Sequence, residues 1–168
     1  MSERRRAREE AARPVREALK ARVRRCEVCL ATCEPMMLAV HEIANGPLRQ
    51  AALDQLYAVL AVCWGPNYWT QVDCHRLIQN EPEARQLARL LICRPEDYNL
   101  PAYLKLTRPG APRRITEAEV MAEVAYLERT RPEYRQIAAR RHDSALLAVL
   151  AGMRTPVTAQ EEPSCRRR

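Results

Sequence analysis

The chain has 168 residues and a formal net charge of +7, from 28 basic residues, nearly all arginine, against 21 acidic ones. That length suits one domain with a modest core, and the lack of Phe beside two Trp and six Tyr leaves Leu, Val, Ile and Ala to fill it, which favours helices over extensive sheet. No apolar run approaches the roughly 20 residues that span a bilayer, and the charged stretch from Met1 to Glu10 lacks the apolar centre of a secretory signal, so a reduced, cytoplasmic protein with no membrane partner is expected.

In chain order, Ser2 to Arg25 carries Ala11, Val15, Leu19 and Val23 at four-residue spacing, one narrow apolar stripe on a basic helix. Pro14 is tolerated in a first turn and not in an interior, so the ordered helix is predicted to begin near Arg13, with the Arg/Glu run before it frayed. Cys26-Glu-Val-Cys29 then forms a C-x2-C knuckle, the spacing tetrahedral zinc accepts, and Cys33 follows. In a reduced protein the clustered members of seven cysteines read as metal ligands before disulfides. Leu38, Val40 and Ile43 predict a short strand that ends at the turn Asn45-Gly46-Pro47. Leu48 to Leu56 reads as a short helix or ordered loop, and Tyr57 to Val62 as a second strand. Paired antiparallel, the two strands present Cys63 and the knuckle at one end. Cys26, Cys29 and Cys63 are thus three candidate ligands of a structural zinc. The fourth is open: a second C-x2-C would end at Pro66, which leaves Cys33, Cys74 or His75.

Downstream, Asn80-Glu81-Pro82 opens a helix carrying Ala84, Leu87, Ala88 and Leu91, which stops at Arg94-Pro95. Cys93 within it reads as a core thiol. Asn99 caps a short helix over 101–106, and Thr116-Glu-Ala-Glu119 is a capping box. Pro132 restarts a helical stretch that Gly152 terminates. The polar, basic tail is predicted to be disordered, with Cys165 incidental.

The order of parts in Cys26 to Asn67 resembles the HNH (ββα-metal) endonucleases: a C-x2-C knuckle, a strand ending in a His dyad before Ile, an apolar run, a second knuckle and a helix. Val40-His41-Glu42-Ile43 is similar to a branch that writes the dyad as His-Glu-Ile. Glu83-Ala-Arg-Gln-Leu-Ala88, Arg94-Pro-Glu-Asp-Tyr98 and Ile115-Thr-Glu-Ala-Glu-Val120 also resemble the tails of such proteins. The resemblance implies a mostly helical α+β fold, with a ββα-metal core and short antiparallel ribbon flanked by N- and C-terminal helices. The division expected is a basic helix in 1–25, the zinc-knuckle core and following helix in 26–95, a helical region in 96–152 and a tail in 153–168.

Anchored on Ile43, the resemblance puts His41 at the position of a catalytic-metal ligand, Glu42 at that of the general-base His, Ala58 at that of the orienting Asn, and Asn67 at that of the closing ligand. Mg²⁺ or Mn²⁺ would serve only if the site is active. Glu42 in place of an imidazole, and Ala58 in place of an amide, both weaken water activation. The expected function is therefore an HNH-like nucleic-acid-binding protein, with DNA as the expected partner and weak or lost phosphodiesterase activity. Arg49, Arg76, Arg85 and Arg89 are the basic residues nearest the core that would meet phosphate. Two alternatives stand beside it: an active nuclease using His41 and Glu42, and a zinc-supported protein-interaction module.

Overall fold

The computed structural model describes residues 3–44, 49–65, 73–106, 115–137 and 139–140. Helix α1 spans Glu3–Val23, and the knuckle leads through a 3-10 turn at Pro35–Met37 into strand β1, Leu38–Glu42. A short helix α2, Arg49–Ala52, and a second 3-10 turn, Leu56–Ala58, precede strand β2, Val59–Cys63. Helices α3 (Cys74–Ile78), α4 (Glu83–Cys93), α5 (Leu100–Leu106) and α6 (Glu117–Thr130) follow, with residues 132–137 again helical. The fold is the mostly helical α+β arrangement expected, with one two-stranded antiparallel ribbon. Among the described residues no helix is long and apolar enough to cross a membrane.

Local signals account for most boundaries. Asn99 Oδ1 accepts the Ala102 N–H at 3.0 Å. Thr116 and Glu119 close a reciprocal capping box, with bonds of 3.2 and 2.9 Å, a device whose removal costs about 1 kcal/mol. Pro82 stands at the N-cap of α4, and α6 packs across that helix. The start of α1 differs from expectation: the helix runs through Pro14 from Glu3. Pro14 is exposed, so the carbonyl deprived of its helical partner has room to find water, and the helix continues on both sides.

The ribbon organises the interior. Leu38 pairs with Cys63, Val40 with Ala61, His41 with Leu60 and Glu42 with Val59. Successive strand residues point to opposite faces. Val40 and Val59 meet Leu19 of α1 on one side, while Leu60 and Val62 join the main core with Leu87, Ala88 and Leu90 of α4.

Both outer edges of the ribbon are closed by side chains rather than by further strands. On the β1 side, Arg16 Nη2 donates to the Val40 carbonyl at 2.8 Å. On the β2 side, Glu27 exchanges two bonds with Ala61, its N–H donating at 2.8 Å and its Oε2 accepting at 2.7 Å. Arg94 donates to the Val59 carbonyl and to Glu27 Oε1 at 2.7 Å. Glu27 and Arg94 are wholly inside the protein, at 0% and 2% exposure.

Candidate metal centre

The knuckle turns back on itself through Leu30 N–H to Cys26 C=O at 2.9 Å and Cys26 N–H to Ala31 C=O at 3.0 Å. This places Leu30 at φ +64°, a left-handed conformation in which a residue with a Cβ costs roughly 1–2 kcal/mol. The strain is held in place from outside. The Tyr134 hydroxyl reaches the Glu27 and Val28 carbonyls at 2.8 and 2.9 Å, and Arg131 Nη1 donates to the Val28 carbonyl at 2.6 Å.

With the knuckle fixed on β2, four sulfurs meet. One ligand atom each from Cys26, Cys29, Cys63 and Cys74 lies within 4.8 Å of all the others, and Cys29 Sγ is 4.0 Å from Cys63 Sγ. A regular tetrahedron of Zn–S bonds of about 2.3 Å sets its sulfurs about 3.8 Å apart, so the donor set fits a zinc ion with little adjustment. Cys26, Cys63 and Cys74 are at most 1% exposed, and Cys29 is partly exposed. Cys26 Sγ also accepts the backbone N–H groups of Cys63 at 3.3 Å and Cys29 at 3.5 Å.

Charge is unevenly shared among the sulfurs. Hydrogen bonds from Cys26 and Cys74 lower the Cys29 thiol to about 3. The reciprocal bonds to Cys26 and Cys29 push Cys74 far above the usual thiol range. Four thiolates this close repel one another, so a fully deprotonated tetrad needs a cation at its centre.

Of the three candidates for the fourth position, the structure brings in Cys74. It sits in the first turn of α3, whose N-cap Asp73 accepts the Arg76 N–H at 3.1 Å. Cys33 is buried outside the tetrad; its thiol bonds the Ala31 carbonyl at 3.5 Å, and burial, then the neighbouring sulfurs, push it up to about 11. His75, one residue beyond Cys74, is not one of the four clustered ligands and lies against two rings: His41 edge-on at 5.4 Å and Trp64 at 5.1 Å.

The dyad divides across the ribbon. Glu42 lies on the α1 face, ion-paired with Arg16, and His41 on the opposite face, its Nε2 3.0 Å from Gln86 Oε1. The Gln86 amide nitrogen donates to the Ile78 and Glu81 carbonyls at 3.1 and 2.9 Å. Its oxygen is therefore the atom turned to His41, and His41 Nε2 must carry the proton. Both dyad residues are buried, at 7% and 4% exposure. Ala58 lies in the buried core; its carbonyl accepts the Ile43 N–H at 2.9 Å and its N–H donates to the Gln55 carbonyl at 2.9 Å. Asn67 lies outside the described residues, as does the side chain of Arg49.

The remaining arginines expected at phosphate have different surroundings. Arg89 is buried between Glu81, at 2.6 Å, and the Tyr134 hydroxyl, and Arg85 pairs with Glu123 at 2.7 Å while stacking 4.4 Å over the Tyr126 ring. These contacts fasten α4 to its neighbours. Arg76 is exposed, as are Arg5, Arg6, Arg8 and Arg13 along α1. Sequence reasoning missed Gln86 and the Glu27–Arg94 pair, and the Asp73 cap was the available signal for α3. Comparison with protein-family models, with curated proteins and with solved structures gives no match.

Proposed function

We propose that this chain is a zinc-supported binding module in which Cys26, Cys29, Cys63 and Cys74 hold one structural zinc and the His41–Glu42 dyad carries no phosphodiester hydrolysis. The convergence of the four sulfurs supports this reading above all. An all-thiolate site is closed, leaving no position for water or substrate, so the ion's role is to tie the knuckle, β2 and α3 together. Against hydrolysis stand the opposite orientations of His41 and Glu42. Neither Mg²⁺ nor Mn²⁺ is part of the proposal. Purified protein should contain about one equivalent of zinc, and Co²⁺ exchanged into it should give the intense visible bands of a tetrahedral thiolate site. Metal content near zero after purification without chelator would overturn the reading.

The partner we propose is nucleic acid, on a surface shifted from α4 to α1 and Arg76. The exposed arginines of α1 favour it, since guanidinium groups pair with phosphate bidentately. Affinity for duplex DNA should fall linearly with salt on logarithmic axes, and Arg6→Ala with Arg8→Ala should flatten that slope by about one to two. Supercoiled plasmid should remain intact with Mg²⁺ or Mn²⁺ present. Salt-independent binding, or none at low salt, would favour a protein partner, for which Met36 and Trp64, at 88% and 68%, are the most exposed large apolar side chains among the described residues.

A further inference from the structure

We propose that the tetrad is an oxidation site for hydroperoxides, in which Cys29 is attacked first, Cys63 resolves it as a disulfide, and the first turn of α3 is thereby released from the ribbon. The inference rests on the zinc reading above and adds a chemistry to it.

Access selects the first sulfur. Cys26, Cys63 and Cys74 are closed to solvent, whereas Cys29 is partly exposed at the rim of the knuckle. A metal-bound or free thiolate is the nucleophile toward peroxide. The Cys29 sulfur attacks the terminal peroxide oxygen, the O–O bond breaks, and the products are Cys29 sulfenic acid and hydroxide from hydrogen peroxide, or the alkoxide from an organic hydroperoxide. The Cys63 thiolate, 4.0 Å away, then attacks that sulfur and displaces hydroxide. Two thiolates lose two electrons in all, and one peroxide is reduced.

Geometry also selects what is released. The knuckle and β2 remain joined without metal, because Glu27 and Ala61 exchange two hydrogen bonds and Arg94 bridges Glu27 to Val59. A Cys29–Cys63 disulfide therefore links elements already held together. Cys74 loses its shared ion. Helix α3 has only five residues, too few to persist without tertiary support; its last turn stays anchored by buried Ile78 and the Gln86 amide on the Ile78 carbonyl, so its first turn is the part that leaves the ribbon, carrying His75 away from His41 and Trp64.

The test uses the full chain, purified with zinc and treated with hydrogen peroxide beside a chromogenic chelator. About one equivalent of zinc should be released as two thiols disappear, peptide mapping should find Cys29 joined to Cys63, and Trp64 fluorescence should change as His75 departs. Thiol reductant with added zinc should reverse all three. Cys33→Ser and Cys93→Ser should respond as the parent does. A Cys26–Cys29 or Cys63–Cys74 disulfide, or zinc retained while Cys33 or Cys93 is oxidised, would overturn the proposal and leave the zinc reading intact. Protein that holds no zinc before peroxide is added would remove both.

Discussion

Cys63→Ala should abolish stoichiometric zinc and lower the melting temperature by on the order of 10 °C or more, since an ion held at 100 to 1,000 times its dissociation constant stabilises a fold by about 3–4 kcal/mol. Cys33→Ala, which removes a buried thiol of similar size from outside the tetrad, should cost about 1 kcal/mol and keep the zinc. The contrast between the two measures the metal and not the cavity. Chelation of the parent protein should lower its melting temperature to near that of Cys63→Ala without unfolding it at 25 °C. The reason is the protein scaffold: the Tyr134, Arg131 and Glu27 contacts hold the knuckle independently of any ion. Equal losses from Cys63→Ala and Cys33→Ala, with unchanged metal content in both, would defeat the expectation.

Arg94→Met should be as damaging, at about 3–5 kcal/mol, because it leaves the Glu27 carboxylate buried without its cation. Against a typical total of about 5–15 kcal/mol, that brings the chain close to unfolding at 37 °C. The loss should depend on pH. Burial already raises the Glu27 carboxyl above its ordinary value of 4.5, against the opposing influence of Arg94, and removing Arg94 raises it further. A carboxyl with a raised folded-state value stabilises fully below its unfolded value and loses that contribution as pH rises through the folded one. Urea midpoints of Arg94→Met should therefore recover relative to the parent as pH is lowered from 7 toward 5. Glu27→Gln, which keeps an acceptor for Ala61 without the charge, should be milder than Arg94→Met. A deficit independent of pH would show that Glu27 does not titrate there.

The parts legible in the sequence were those fixed by near neighbours. Thr116 and Glu119 announce their helix, Asn99 and Pro82 announce theirs, and the apolar residues Leu38, Val40 and Ile43 with the apolar run Tyr57 to Val62 announced the two strands of the ribbon. Cys26, Cys29 and Cys63 were legible because a knuckle and a strand end are local motifs that the ribbon then superposes. The fourth sulfur was not, because choosing Cys74 over Cys33 depends on where α3 docks, a contact between distant residues. Glu27 reads as an ordinary polar residue between two cysteines, and Arg94 as the end of a helix before Pro95; their partnership spans 67 positions. One geometric clue was available. Consecutive residues of a strand point to opposite faces, so His41 and Glu42 in one strand were bound to meet different neighbours. Charge in sequence carries no mark of the carboxylates that Arg85 and Arg89 meet in space.

Closing the ribbon with side chains drawn from afar has a consequence for synthesis on the ribosome. The bonds that seal β2 come from Glu27, 34 positions before Ala61, and from Arg94, 35 positions after Val59. The hairpin can therefore form before the guanidinium that seals its outer edge has been translated. At about 5–20 residues per second, the chain spends a few seconds with the Val59 carbonyl and a row of apolar side chains open to other nascent strands. Truncation after Ile92 would make that interval permanent, and such a fragment should be recovered as aggregate while the full chain remains in solution.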